Sequence, residues 1–354
     1  MLKLFPDVKL ILGYTKSMLL DTTSGKCYLI PTTLGEIIQK YDSQNKYEEL
    51  SQLLGEKNSD LFQEYNTFLT KKELLVDVDA KMVTHFEAID DQQKHPFDLN
   101  HIIICLGSQN WAHIKKAIKE KFFSNTAIFT IVLHSSFPVE CLEELIALLK
   151  FDRPIALKII ASKNEKEKIN ALIKEDLELF QLIFTEHQDN YFESDEYRNL
   201  FPILSNSIIL YSESEQHNFY FHKKLFIDLD GYIRNTPESY TIHNVIQQIE
   251  DQEEFKNLTK SSTFQSCWHV TRDQIAVCKD CELRRICIDN REPLPINDFW
   301  MHEVPCSYNP YICKWESESD YIPVEECGTY SSQKGFIPDN DKIKLLNATM
   351  SKGK

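Results

Sequence analysis

Three cysteines fall within the ten residues "CKDCELRRIC". They are Cys278, Cys281 and Cys287, in the spacing C-x2-C-x5-C, and Cys306 follows inside "VPCSYNPY". Thiolates ligate soft metals, and a C-x2-C loop turns two of them toward one centre while backbone amides point at their sulfurs. Four cysteines suit Zn2+ or a [4Fe–4S] cube. A structural zinc site of four cysteines usually shows two such knuckles, and this chain shows one, so the spacing favours one [4Fe–4S] cluster, with zinc as the alternative. Arg284, Arg285 and Lys279 stand among the ligands. Arg284 and Arg285 are expected beside the cluster, offsetting thiolate charge and lowering the thiol pKa values.

Seven of the ten cysteines lie between 267 and 327, a clustering that favours a metal site over scattered core thiols. Cys267, Cys313 and Cys327 are candidate additional ligands, although such residues more often serve as small buried apolar side chains. Trp268, Trp300, Tyr308, Tyr311 and Trp315 are expected to pack around the cluster.

The elements that must position these residues fall into three parts. At roughly 100–200 residues per domain, 354 residues predict two or three domains. In residues 1–80, "VKLILGY", "KSMLLDT" and "KCYLIPT" read as hairpin strands. "TTLGEIIQKYD" and "SDLFQEYNTFLTKKELL" then space apolar residues at helical intervals (Leu34, Ile37, Ile38, Tyr41; Leu61, Tyr65, Phe68, Leu69). A hairpin followed by about three helices is winged-helix-like. Residues 81–97 are polar and acidic, as a linker would be.

From residue 98 strands and helices alternate: "NHIIICLG", "WAHIKKAIKEKF", "NTAIFTIVLHSS", "VECLEELIALLK", "PIALKIIAS", "NEKEKINALIKEDL", "LFQLIFTE", and "SNSIILYSE" as a further strand. Alternation with short links implies a parallel sheet covered by helices, either open or an incomplete (β/α) barrel. About five strands are too few for a closed eight-stranded barrel. "NFYFHKKLFIDLDGYIRNTPESY" reads as a hairpin across Asp230–Gly231, leading into the cysteines. The expected fold class is α/β, divided as 1–80, 81–215 (partial barrel) and 216–354 (cysteine-bearing domain).

Composition removes several functions. The net charge of −15 argues against nucleic-acid binding, which needs a basic surface. With 9 glycines, neither GxGxxG nor GxxxxGK[ST] occurs, so no phosphate-cradling loop is present. No apolar run reaches the roughly 18 residues of a membrane span, and the N-terminal apolar stretch is broken by Pro6, Asp7, Lys9 and Lys16. A cytoplasmic protein without membrane contact is expected, where stable disulfides are rare. His101 and His134 flank strands, but no Ser/His/Asp or paired-carboxylate arrangement stands out, so no catalytic residue does either.

"CKDCELRRICIDNRE", the hairpin before it and Cys306 after it resemble a SPASM domain, the iron–sulfur extension of many radical S-adenosylmethionine peptide maturases. The resemblance implies that Cys278, Cys281, Cys287 and Cys306 ligate one auxiliary [4Fe–4S] cluster. The family usually places a further cysteine, serving another cluster, where this chain has Arg291. Radical enzymes of this class also carry C-x3-C-x2-C after the first barrel strand. Here that place is "CLGSQNWAH", where Cys105 stands alone, so no S-adenosylmethionine cleavage is expected.

"CWHVTRDQIAVCKDCELRRICID", "CSYNPYICKW" and "LILGYTKSMLLDTTSGKCYLIPTTLGEII" are similar to blocks of the SPASM proteins of grasp-with-spasm peptide-modification systems. The last is more loosely similar to PqqD-like leader-peptide recognition elements. The resemblance implies an accessory protein that binds a precursor peptide and works with an ATP-grasp ligase, its cluster mainly structural. A leader peptide would add as a strand to the N-terminal sheet, near Met18, Leu19 and Leu20 or near Tyr28 and Leu29. The competing expectations are a peptide-modifying enzyme using the cluster for redox or Lewis-acid chemistry, and a zinc-stapled scaffold.

Overall fold

The structure, a computed structural model, describes residues 2–43, 46–55, 60–79, 81–82, 96–151, 156–172 and 180–351. Most of the expected linker at 81–97 lies outside the described residues. The N-terminal segment runs β1 (Leu2–Leu4), β2 (Val8–Ile11), β3 (Lys16–Asp21), β4 (Lys26–Pro31), α1 (Thr32–Ser43), α2 (Tyr47–Gly55), α3 (Asp60–Lys71) and β5 (Leu75–Asp77). Strands β2, β3 and β4 form an antiparallel sheet with β3 in the middle, while β1 pairs with β5. One face of this sheet packs Leu19 and Ile30 against Leu34, Ile38, Leu50, Tyr65 and Leu69 of the helices. Leu61, placed by its spacing on the apolar stripe of α3, is half exposed, and Phe62 packs there instead.

The other face is buried too. Ile11, Met18 and Leu20 pack against Tyr211, Leu283 and Ile286 from the rest of the chain. "SMLLD" therefore carries consecutive apolar residues, since a strand buried on both faces need not alternate.

The centre is a seven-stranded mixed sheet. Its parallel part is β6 (Leu99–Leu106), α4 (Trp111–Lys119), β7 (Thr126–Leu133), α5 (Leu142–Phe151), β8 (Ala156–Ser162), α6 (Lys166–Leu172) and β9 (Phe180–Thr185), with β6 to β9 adjacent in order. After α7 (Asp195–Arg198) and β10 (Ile203–Leu204), the segment read as a strand, "SNSIILYSE", is instead helix α8 (Ile208–Gln216). Ser207 caps it by accepting a hydrogen bond from the Ile209 amide, and residues 210–214 are all buried. Burial around the helix erases the 3.6-residue pattern that would have marked it.

The fifth parallel strand is β11 (Lys224–Ile227), which lies against β6. It turns at Gly231 into antiparallel β12 (Tyr232–Arg234) and then β13 (Asn244–Val245). The expected hairpin thus belongs to the central sheet. The sheet is open, with β9 and β13 at its edges. One face buries Ile102, Ile104, Phe129, Ile131, Ile159, Leu225 and Ile227 under the helices.

The remainder holds α9 (Gln252–Lys260), short strands β14 (Cys287–Ile288), β15 (Leu294–Ile296), β16 (Phe299–Met301), β17 (Tyr308–Asn309), β18 (Lys314–Trp315), β19 (Gly328–Ser331) and β20 (Gly335–Pro338), and α10 (Asn340–Ser351). These strands pair as β15–β16, β17–β18 and β19–β20, and β14 pairs with β10. No helix among the described residues is long and apolar enough to cross a membrane.

Asn110 stitches the sheet at the carboxyl ends of its strands. Its side-chain amide donates to the Cys105 carbonyl at 2.8 Å and the Asp228 carbonyl at 3.1 Å, and its Oδ1 accepts from the Gly107 amide at 3.0 Å. All of this is buried. Asn110→Ala orphans these groups and is expected to lower stability by about 2–4 kcal/mol in urea unfolding. A loss below about 0.5 kcal/mol would show that the stitch carries no weight.

Candidate functional site

Cys278, Cys281, Cys287 and Cys306 line one small cavity, together with Leu204, Leu283, Tyr308, Pro310, Trp315, Arg272 and Arg291. Each reaches it from a different local device. A turn over 278–280 presents the first pair. Val277, just before it, has φ of +69°, a left-handed conformation that strains a β-branched residue. Cys287 is held by the pairing of β14 with β10, where it faces Leu204. Cys306 precedes β17.

All ten cysteines are free thiols. Among the described residues, no group of three or more His, Cys, Asp or Glu is arranged to hold a single metal ion. Four thiols walled by apolar and aromatic side chains suit a multi-atom, thiolate-ligated group such as an iron–sulfur cluster. Burial pushes the Cys278 thiol up to about 11 and raises those of Cys281 and Cys287 as well. Loading a metal must therefore expel protons, so metal affinity rises with pH.

The charges beside these thiols are only partly the ones the spacing suggested. Arg284 and Arg285 both turn to Asp273, at 2.8 and 2.6 Å. Arg284 also donates to the Leu12 and Cys281 carbonyls, and Arg285 to the Ser214 carbonyl. They fasten the cysteine loop to the turn after β2 and to α8, and Arg284 lines the four-cysteine cavity whereas Arg285 does not.

Arg272 and Arg291 line the cavity with Arg284. Asp289, 2 % exposed, sits between them. Arg291 Nε reaches Oδ1 and Oδ2 at 3.0 and 3.1 Å, and Arg272 Nη1 lies 3.6 Å from Oδ2. Burial alone would raise the Asp289 pKa, but Arg291 and Arg272 outweigh it and hold the carboxylate far below its usual range. Burial pushes His302 down to about 3, leaving a neutral ring. Its Nε2 then accepts from Arg272 Nη1 at 3.1 Å. Two cations and one anion leave one net positive charge beside Cys278, Cys287 and Cys306.

Arg291, Asp289 and Cys306 also border a second space, a cleft of about 930 Å3. The cleft lies at the carboxyl ends of β6, β7 and β11, where Cys105, Val132, His134, Phe226 and Asp228 line it. Ligands of parallel α/β sheets sit at that end. Glu238 lines it too, and the Tyr197 and Tyr220 hydroxyls, 2.7 Å apart, donate to its two oxygens at 2.7 and 2.9 Å. Burial pushes the Cys105 thiol up to about 12, which removes it as a nucleophile.

The other candidates are placed elsewhere. Cys267 packs with Tyr220 and Phe221. Cys313 donates to the Pro310 carbonyl at 3.6 Å. Cys327 is buried beside Asn309, whose Nδ2 is 3.3 Å from its sulfur. None of the three lines the four-cysteine cavity. Tyr308 and Trp315 do line it, whereas Trp268 belongs to the core of the central sheet and Tyr311 stacks on Phe336. Met18, Leu19 and Leu20 lie in the middle strand and are 0 % exposed, so an added peptide strand has only β2 or β4 to meet. Leu29 of β4 is 48 % exposed. His101 is neutral, pushed down to about 3 by burial, with Nε2 2.8 Å from Thr130 Oγ1.

No family model matches the chain. No curated protein matches it. Among solved structures, the crystal structure of Streptococcus suis SuiB is similar at 9 % identity, covering 81 % of this chain and 94 % of that one, with a TM-score of 0.23. The crystal structure of Streptococcus suis SuiB bound to S-adenosylmethionine is similar at 10 % identity, covering 81 % and 95 %, also with a TM-score of 0.23.

Asp289→Asn leaves two buried guanidiniums facing a neutral amide and is expected to cost about 3–5 kcal/mol. Because the Asp289 pKa is lowered, its stabilisation is full above the ordinary carboxylate value of about 4 and fades as pH falls below it. Stability curves of the parent and the variant should therefore converge toward low pH. Parallel curves down to about pH 2 would refute this account.

Proposed function

We propose that this chain is a peptide-binding component of a ribosomal-peptide modification system, with Cys278, Cys281, Cys287 and Cys306 holding one [4Fe–4S] cluster. The observation that carries this reading is the meeting of these four half-buried cysteines on one apolar-walled cavity, backed by Arg272 and Arg291, beside a large cleft. Four cysteines on one cavity with a single C-x2-C knuckle support a cube over a single zinc ion. Residues 246–351 correspond in this reading to a SPASM domain. The arc β6–β9 with β11 corresponds to a partial (β/α) barrel, and residues 2–77 to a winged-helix-like leader-peptide module.

The cluster's part is chiefly to cross-link a region whose own strands are two to four residues long. The leader would add to the β4 edge, gaining main-chain hydrogen bonds there, with specificity from the side chains around Leu29. The cleft would take the segment to be modified, and an ATP-grasp partner would supply the bond-forming chemistry. One observation favours a second reading, a cluster acting directly on the peptide: Cys306 lines both the cavity and the cleft.

Anaerobic purification should give close to four irons and four sulfides per chain, falling sharply in Cys281→Ser. Zinc without acid-labile sulfide would refute the cluster. Leu29→Asp is expected to weaken binding of a candidate precursor's leader peptide at least about tenfold with the fold unchanged by circular dichroism, since the added charge meets the peptide strand directly. Unchanged affinity would refute the β4 edge. A mass change in the precursor caused by this protein alone would replace the adaptor reading with the second one.

A further inference from the structure

The turn between β2 and β3, residues Leu12 to Thr15, is gripped by the loop that carries Cys281. The Tyr14 amide donates to the Asp280 carbonyl at 2.8 Å. Arg284 Nη1 donates to the Leu12 carbonyl and, at 2.9 Å, to that of Cys281. Thr15 Oγ1 donates to the Tyr311 carbonyl at 2.6 Å, and the Tyr14 and Tyr311 rings meet edge to face at 5.0 Å. Gly13 closes the turn and allows the approach: a Cβ there would lie 2.2 Å from the Lys16 carbonyl oxygen, 2.8 Å from Glu282 Cβ and 2.9 Å from its amide nitrogen. Glu282 is fully buried and bonds Tyr308, which walls the cysteine cavity. Ile11, Met18 and Leu20 extend the contact by packing on Leu283 and Ile286.

Whatever orders residues 278–287 therefore orders the turn that joins two strands of the N-terminal sheet. We propose that metal occupancy of the four-cysteine site and peptide affinity of the N-terminal sheet are coupled through this turn. Asp280, next to Cys281, accepts from the Tyr14 amide, and the Cys281 carbonyl shares Arg284 Nη1 with the Leu12 carbonyl. Bound metal fixes the loop, the loop holds the turn, and the turn sets the register and twist of β2 against β3, hence of β4. Coupling is reciprocal, so bound peptide also slows loss of the metal. This rests on the cluster and the leader-binding edge proposed above.

The test uses the full chain, either loaded with iron and sulfide or stripped by chelation, and reads amide hydrogen exchange and precursor affinity. Stripping is expected to speed exchange in residues 8–21 together with 278–287, and to weaken the peptide by at least about fivefold, the lower end of allosteric coupling. Thr15→Val should keep its iron content while the loaded-to-stripped affinity ratio moves toward one. Gly13→Ala is the harsher variant in the same direction. Faster exchange confined to 278–287, or a full affinity ratio in both variants, overturns the coupling while the cluster and the binding edge stand. A chain without iron and sulfide, or one whose peptide affinity survives loss of residues 2–77, overturns the underlying reading and the coupling with it.

Discussion

A buried carboxylate cannot stay ionised without partners, and the partners of Asp289 organise the C-terminal third of this protein. Arg272 comes from the segment before Cys278. Asp289 follows Cys287 by two residues. Arg291 reaches forward to the Val304 carbonyl at 2.7 Å, beside Cys306. One ion cluster thus ties together the three stretches that carry the four cysteines. The strands around them are too short to do so alone. The same ion cluster leaves net positive charge beside the Cys278 and Cys287 thiols.

The central sheet stands in a different regime. Its parallel strands bury a continuous apolar face under helices, and it needs no ion to hold it. Its contribution to function is positional. Asn110 ties β6 to the end of β11, and the open carboxyl end of the sheet meets the cysteine region across the cleft. Arg291 and Cys306 belong to both spaces, so any ligand in the cleft lies next to the residues that frame the cysteine cavity.

The N-terminal module is joined to that region by more than chain continuity. Strand β3 is buried on both faces because the helices cover one and the cysteine loop the other. Arg284 and Arg285 belong to this joint. Their sequence position among the cysteines suggested charge compensation; each finds carbonyl oxygens and Asp273 within reach, and only Arg284 also lines the cysteine cavity. Arg272 and Asp289, which line it too, lie outside the cysteine pattern and carried no local signal.

By itself the sequence determined what depends on local spacing. That includes the three N-terminal strands and the helices after them, the alternation from β6 to β9, the hairpin at Gly231, and the grouping of Cys278, Cys281, Cys287 and Cys306, which line one cavity. Periodicity and turn chemistry act within a few residues, so they are written in the chain. Tertiary structure alone decided which charged groups face the thiols, that "SNSIILYSE" coils into α8, that β11 rather than this segment completes the parallel strands, and that β4 rather than β3 offers an edge. Each of these depends on what lies on the far side of a residue. A segment surrounded by protein loses the polar face that would reveal its period, and a guanidinium goes to the acceptors the fold brings near, wherever they stand in the sequence.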